Sequence, residues 1–172
     1  MLRLELQIPS ILVLIGISGA GKSSLARSLF LPTEILSSDR CRALISDEEN
    51  NQFVTPQAFE LLLAIARFRL ARGRLCVIDA TNLSAKDRAK YLVLGREFRC
   101  PVSALVVDPE LNICLERTAS RVDRDISMEV VKAQHDELMA NLPLLESEGY
   151  SRVWKLAGGQ GTSPSIEVFR SF

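Results

Sequence analysis

Apolar runs of strand length alternate with segments of helical period along the chain. The strand-length runs lie at 11–15, 34–37, 75–79, 102–107 and 150–156. Between them we predict helices over about 22–30, 41–45, 55–73 and 84–98, one opening at Asp108 and Pro109, and one beginning at Ser127. This alternation is typical of an α/β fold in which helices flank a parallel sheet. We predict a single domain over 1–172, with a glycine-, serine- and proline-rich loop at 157–165.

Residues that favour helix ends support several of these boundaries. Thr55 before Pro56 predicts an N-cap followed by a proline in the first turn, and Gly73 predicts the end of the same helix. Ser84 with Asp87 three residues later predicts a second capped helix.

The segment that joins the first predicted strand to the first predicted helix has the pattern of a phosphate-binding loop. Residues 16–23 read GISGAGKS, which fits G-x-x-x-x-G-K-[ST] without a mismatch. Lys22 would reach the β- and γ-phosphate oxygens, and the Ser23 hydroxyl would ligate a bridging Mg²⁺. A tight turn that only saves space would require neither side chain. We therefore predict binding of ATP or another nucleoside triphosphate, with Mg²⁺, by Gly16, Ser18, Gly19, Ala20, Gly21, Lys22, Ser23 and Ser24.

Carboxylates that follow predicted strands are candidates for the acceptor side of the reaction. Ligands of open parallel sheets bind beyond the carboxyl ends of the strands, so Asp39, Asp79 and Asn82 should lie at one edge. Asp39 is our candidate base, and Arg42 lies three residues later on the same side of a short helix. The alternative is a capping aspartate with a surface arginine. Asp79 could hold Mg²⁺ or could be a strand-end cap.

Two arginines at helical spacing predict a lid. Arg117 and Arg121 are separated by four residues, with Arg124 just beyond, so guanidinium groups on one face could clamp phosphates. We place this lid at about 115–130. The alternative is a solvated face of arginine and glutamate.

The charge of the chain changes the picture of its partners. The 21 basic and 21 acidic side chains cancel, but residues 67–124 carry a net charge of +5. The total argues against a uniformly basic coat protein, and the 47% hydrophobic content argues against disorder. A cluster in this positive region could complement a helix end or form a groove for a polyanion: Arg67, Arg69, Arg72 and Arg74.

Cysteine spacing and hydropathy bear on the compartment. The four cysteines form no Cys-x-x-Cys pair, Cys76 lies in an apolar run and is expected to be buried, and no apolar stretch reaches the roughly 18 residues of a membrane span. We expect a cytoplasmic protein without a membrane partner. The single histidine, His135, is expected to serve packing or the surface.

Four segments in combination resemble a known family. GISGAGKSS, then SSDRCRALISDEEN with NQFVT, then VIDATN and ERTASRVDR are similar to the kinase module of bacterial polynucleotide kinase-phosphatase. That module belongs to the 5′-OH polynucleotide kinases of RNA repair, within the P-loop kinase superfamily. The resemblance covers about residues 8–155 and implies transfer of the ATP γ-phosphate to the 5′-hydroxyl end of RNA or DNA.

The resemblance also implies residue roles. Lys22 and Ser23 match the phosphate and metal ligands, Asp39 matches the general base, and Arg42 matches the arginine that follows it in the motif. Arg117 and Arg121 match the lid arginines, and Arg124 is a weaker match. The family's phosphatase and ligase modules have no counterpart in this sequence, so we expect an excised module or a kinase with partner phosphatase or ligase proteins. A P-loop kinase of a small metabolite or sugar alcohol and a nucleotide-binding switch remain alternatives.

Overall fold

A five-stranded parallel sheet organises the chain. The computed structural model describes residues 2–120, 126–157 and 165–172. The strands of this sheet are β2 (Ile11–Ile15), β3 (Ile35–Ser37), β4 (Cys76–Asp79), β5 (Val102–Val107) and β6 (Arg152–Leu156), in the spatial order β3-β4-β2-β5-β6. The helices are α1 (Lys22–Leu29), α2 (Ser38–Ser46), α3 (Thr55–Ala71), α4 (Ala85–Glu97), α5 (Leu111–Ala119) and α6 (Met128–Asn141). The predicted α/β fold with a parallel sheet is confirmed.

The central strand β2 carries the first functional loop. All five of its residues are buried, as expected of a parallel strand covered on both faces. It pairs with β4 on one side and β5 on the other. After β2 the chain moves to β3 and β4, and then crosses to β5 and β6 on the opposite side of β2. The carboxyl end of β2 therefore lies at the point where the direction of winding reverses, where open sheets bind ligands.

Helix starts differ from three of the predictions. Helix α2 begins at Ser38 rather than near 41, because the Ser37 hydroxyl accepts a hydrogen bond from the Arg40 amide at 3.3 Å and caps it. Thr55 is the first residue of α3 and not its N-cap, since a short 3₁₀ helix (Gln52–Val54) leads directly into it. Helix α5 begins at Leu111, three residues after Asp108 and two after Pro109, where the sequence predicts its start.

The cap predicted at Ser84 is confirmed, and Ser127, where the sequence predicts the start of a helix, is also an N-cap. The Ser84 hydroxyl accepts a hydrogen bond from the Asp87 amide at 3.1 Å, and the Ser127 hydroxyl accepts one from the Val130 amide at 3.4 Å. The helices that follow, α4 and α6, start immediately after these serines.

A second, two-stranded parallel ribbon was not predicted. Strand β1 (Leu2–Gln7) pairs in register with β7 (Ile166–Ser171), residue 2 opposite residue 166. Leu4 and Leu6 alternate with exposed neighbours and are fully buried against the core. Most of the predicted loop at 157–165 lies outside the described residues.

A buried ion pair holds the first turn of α4 in place. The Arg88 guanidinium has no exposed surface; its Nε donates to Glu148 Oε2 at 2.9 Å, and its Nη2 donates to Glu148 Oε1. Its Nη1 donates to the carbonyl of Asn82 at 2.8 Å. Because Glu148 follows the 3₁₀ helix Leu142–Ser147, this pair ties α4 to the segment that enters β6.

The Cys76 thiol is buried, as predicted. Cys41, Cys76, Cys100 and Cys114 are free, and burial raises the pKa of Cys76 to about 11. Among the described helices, none is long and apolar enough to cross a bilayer.

Candidate active site

The loop after β2 folds around the Lys22 ammonium group. Lys22 is 8% exposed, and its Nζ donates to the carbonyls of Gly16 and Ile17 at 2.8 and 2.9 Å. Gly19 and Gly21 have φ values of +80° and +94°, a region that glycine enters without a steric penalty. The lysine therefore lies inside the loop, where phosphate oxygens would replace or join the carbonyls as its partners.

The other predicted nucleotide-binding residues occupy the loop and the first turn of α1. Ala20 is buried, and its amide donates to the Ile17 carbonyl at 3.2 Å. Ser23 is half-buried in the first turn of α1, and Ser24 is exposed beside it with its hydroxyl 3.5 Å from Arg27 Nη2. The Ser23 hydroxyl is thus at the helix start, where a phosphate-bound cation would lie.

Helix α5 packs directly on the loop. A Cβ atom added at Gly19 would collide with the Cys114 carbonyl oxygen and would lie 2.6 Å from Thr118 Oγ1. A Cβ atom at Gly21 would lie 3.5 Å from Arg117 Nη1. The last turn of α5 therefore places the Arg117 guanidinium against the phosphate-binding loop, as the lid prediction requires. Arg121 and Arg124 lie outside the described residues.

We expect Gly19→Ala to weaken nucleotide binding at least about tenfold. The new side chain would meet a positive φ, which costs about 1–2 kcal/mol, and would also push α5 off the loop. Gly73→Ala is the matched control, since Gly73 has a φ of +66° but no atom within 4 Å of an added Cβ. Titration of a fluorescent ATP analogue measures both; equal affinities for the two variants would contradict the packing described.

Helix α6 supplies a contact that the sequence analysis missed. Gln134 Oε1 accepts a hydrogen bond from the Ser18 amide at 2.8 Å, across 116 residues of sequence. The helix after the lid is therefore attached to the phosphate-binding loop itself. Its neighbour His135 is 26% exposed and 3.9 Å from Asp136 Oδ1, so the expected packing or surface role of the histidine agrees with its position.

Asp39 and Arg42 form an ion pair at the start of α2. Arg42 Nη2 donates to Asp39 Oδ1, and the two side chains are 9% and 20% exposed. Arg42 Nε also donates to the Glu49 carbonyl at 2.6 Å. Burial lowers the pKa of Arg42, and the Glu49 carboxylate opposes that shift. The predicted placement of Asp39 and Arg42 on one side of a helix is confirmed, with the carboxylate partly open to solvent.

The sheet brings this pair to the edge that carries the phosphate-binding loop. Ser37, which caps α2, lies opposite Asp79 in the β3–β4 register, and β4 is hydrogen-bonded to β2. Two strand spacings, about 10 Å, therefore separate the start of α2 from the end of β2. The Gly16 amide donates to the Thr81 carbonyl at 3.1 Å, which joins the segment after β4 to the loop.

Asp79 and Asn82 have different positions at this edge. Asp79 is 6% exposed at the end of β4. This strand lies between β3, which leads to the Asp39–Arg42 pair, and β2, which leads to the phosphate-binding loop, and the position suits the predicted place of Asp79 near Mg²⁺. Asn82 is 3% exposed; its Nδ2 donates to the Leu14 carbonyl at 2.7 Å and its Oδ1 accepts from the Tyr91 hydroxyl at 3.2 Å. The Asn82 side chain therefore connects β2 to α4 and does not face a ligand.

The arginine cluster at the end of α3 lies at the opposite edge of the sheet. Arg72 and Arg74 precede the amino end of β4, whereas the phosphate-binding loop follows the carboxyl end of β2. Arg69 donates to the Leu75 carbonyl at 2.9 Å, and Arg67 pairs with Glu97 at 3.6 Å. An open cavity of about 620 Å³ adjoins the cluster. This position favours the helix-end interpretation over a groove that continues the acceptor site.

The family of the chain follows from a match that spans this whole edge. A model described as an AAA domain matches residues 11–145, which contain the phosphate-binding loop, the Asp39–Arg42 pair, Asp79 and Arg117. The chain belongs to this AAA domain family. No curated protein matches the AAA-domain chain at a significant level.

Solved structures share the fold of the AAA-domain chain. A chain of the Pnkp1/Rnl/Hen1 RNA repair complex is 21% identical with a TM-score of 0.69, over 80% of this chain and 46% of that one. A chain of the AvrRxo1-ORF1:-ORF2 complex with ATP is 15% identical with a TM-score of 0.63, over 81% and 50%. Chaetomium thermophilum Kti12 in complex with ADP-AlF3 is 17% identical with a TM-score of 0.63, over 86% and 88%.

Together with the family match, these likenesses establish a P-loop kinase fold. The AAA-domain chain spans about half the length of the first two of these chains. At such identities the shared feature is the architecture, and the acceptor must be inferred from the residues at the site.

Proposed function

We propose that the chain is a polynucleotide 5′-hydroxyl kinase, which transfers the ATP γ-phosphate to 5′-OH ends of RNA or DNA in nucleic-acid end repair. The observation that carries the proposal is the Asp39–Arg42 pair, at the same sheet edge as the phosphate-binding loop and about two strand spacings from it. The motif resemblance and the likeness to a chain of an RNA repair complex support a polynucleotide acceptor.

The donor would be held by the phosphate-binding loop and by Arg117. Lys22 already lies inside the loop, and the Arg117 guanidinium lies beside Gly21, so two cations would be available to contact the phosphates. Nucleotides in two related structures, ATP and ADP-AlF3, support a nucleotide ligand. Arg121 would extend the clamp from the lid.

Mg²⁺ fits the oxygen donors at this edge. In phosphoryl-transfer sites Mg²⁺ takes most of its ligands from phosphates and water, so few protein ligands are required. Among the described residues no group of three His, Cys, Asp or Glu side chains could hold a metal. The Ser23 hydroxyl and the Asp79 carboxylate would hold it, and it would neutralise charge on the phosphates.

Asp39 would act on the acceptor. Its carboxylate would accept the proton of the 5′-hydroxyl as that oxygen forms a bond to the γ-phosphorus, while the bond from the γ-phosphorus to the β–γ bridging oxygen breaks and ADP leaves. Arg42, fixed by Asp39 and by the Glu49 carbonyl, would orient the carboxylate and contact the transferred phosphoryl group.

Transfer of label from γ-labelled ATP to 5′-OH oligonucleotides tests the proposal. We expect labelled 5′ ends on RNA or DNA, no labelling of oligonucleotides that already carry a 5′-phosphate, and weaker acceptor binding as salt rises. A panel of sugar alcohols and small metabolites is the control. Labelling of a small alcohol with none of the oligonucleotides would overturn the polynucleotide assignment and leave a metabolite kinase.

A further inference from the structure

An exposed aromatic side chain lies in the segment that follows α2, the helix of the Asp39–Arg42 pair, which is the candidate acceptor pair. Phe53 is 95% exposed, and the only more exposed large hydrophobic residue in the described chain is Phe172, its last residue. Such a ring presents nearly all of its flat apolar surface to whatever binds beside it. It belongs to the 3₁₀ helix Gln52–Val54, between α2 and α3.

The backbone that presents Phe53 is held by hydrogen bonds. The Phe53 amide donates to Asn51 Oδ1 at 3.1 Å, and the Thr55 hydroxyl is 3.3 Å from Gln52 Oε1. The loop before it is attached to Arg42 through the Glu49 carbonyl. One guanidinium therefore holds both the candidate base and the segment that carries the aromatic ring.

The chain length between these points limits how far the ring can lie from the acceptor pair. Four residues separate Phe53 from Glu49, whose carbonyl Arg42 binds, and the chain turns between them, since the Asn51 amide donates to the Glu48 carbonyl at 3.4 Å. The backbone span is therefore shorter than the extended limit of about 14 Å. A stacked strand rises about 3.4 Å per nucleotide, so this span corresponds to the first four nucleotides or fewer. The ring is thus within reach of a base near the 5′ end.

The charges around Phe53 favour a base over a phosphate as its partner. Asp47, Glu48 and Glu49 are exposed in the preceding loop and would repel a phosphate backbone. An uncharged base can approach an aromatic face without that penalty, and stacking of this kind tolerates any base.

We propose that Phe53 is a stacking platform for a nucleobase within the first four nucleotides of the acceptor strand; this rests on the polynucleotide kinase assignment. Phe53 then determines which alcohols are accepted, because a small polyol has no base to stack. Its role is binding rather than chemistry.

A double-mutant cycle between protein and acceptor tests this. The acceptors are 5′-OH oligonucleotides that are intact or lack one base at positions 1 to 4, and the proteins are wild type, Phe53→Ala and Phe53→Trp. We expect Phe53→Ala to raise KM for the intact strand about 5- to 100-fold with little change in kcat, and Phe53→Trp to retain the wild-type KM. At one position, removal of the base should weaken binding to wild type but not to Phe53→Ala.

The control is Phe68→Ala, which removes a 76% exposed ring near the arginine cluster at the opposite edge. We expect it to keep the wild-type KM. Because stacking is not ionic, the effect of Phe53→Ala should persist at high salt.

The outcomes separate the two proposals. Transfer to oligonucleotides with no coupling between Phe53 and any base overturns the stacking platform alone, as would be expected if the ring docked a protein instead. A wild-type enzyme that phosphorylates no oligonucleotide overturns the kinase assignment and the platform with it.

Discussion

Replacing Asp39 with asparagine should reduce phosphoryl transfer by about 10²- to 10⁴-fold, the usual contribution of a general base. Asparagine keeps the shape of the side chain and an oxygen that can accept from Arg42, but it cannot take the proton of the hydroxyl. Nucleotide affinity should stay near that of the wild type, because the phosphate-binding loop belongs to β2 and α1 rather than to α2. Single-turnover transfer from labelled ATP measures the rate.

Asp47→Asn provides a matched control at the residue that follows the same helix. Asp47 is exposed at the end of α2 with a φ of +60°, a conformation that asparagine tolerates well. The same chemical change should leave transfer unchanged there. A rate for Asp39→Asn equal to that of the wild type would show that another group takes the proton.

Removing the carboxylate of Glu148 should lower the free energy of unfolding by about 3–5 kcal/mol. The fully buried Arg88 would keep its backbone partners but would lose the only counter-charge bonded to it among the described residues. We expect Glu148→Ala also to weaken nucleotide binding, since Arg88 holds the Asn82 carbonyl and the Asn82 side chain holds β2 just before the phosphate-binding loop. Urea unfolding followed by circular dichroism gives the first quantity.

A control variant and a double replacement test whether the loss of stability comes from the buried ion pair. Glu146→Ala removes an exposed carboxylate two residues earlier and should change stability by less than about 0.5 kcal/mol. Combining Arg88→Met with Glu148→Leu should recover much of the lost stability, because apolar side chains can replace a buried ion pair. Equal midpoints for Glu148→Ala and Glu146→Ala would contradict the buried pair.

The parts of the site that sequence alone could predict are local. The phosphate-binding loop needs glycine, lysine and serine at fixed spacing between a strand and a helix, and that requirement is visible in eight consecutive residues. The Asp39–Arg42 pair is separated by three residues on one helix, so helical geometry alone brings the two side chains together.

The parts that sequence could not predict depend on contacts between distant segments. Gln134 touches the Ser18 amide only because α6 packs on the loop, and no pattern near residue 134 indicates it. The Arg88–Glu148 pair spans 60 residues. Phenylalanine is buried in most proteins, so the residue type of Phe53 does not indicate the exposure that the fold shows.

The sequence also did not indicate at which end of the parallel strands a charged side chain lies. The positive region of residues 67–124 combines the Arg117 guanidinium at the phosphate-binding loop with an arginine cluster at the other edge. Only the alternation of strand and helix directions separates the two. The net charge of residues 67–124 therefore overstates the positive charge near the phosphate-binding loop.

The parallel ribbon of β1 and β7 has a consequence for the order of folding. Its pairs join residues 2–7 to residues 166–171, a separation that nearly equals the length of the chain. The entropy of closing so long a loop must be overcome before any of these hydrogen bonds forms, so contacts of this range arise late. During synthesis on the ribosome, the five-stranded sheet can form before β7 is available to pair with β1, the strand that carries Leu4 and Leu6. The ribbon then acts as a final closure that forms only once residue 171 has emerged.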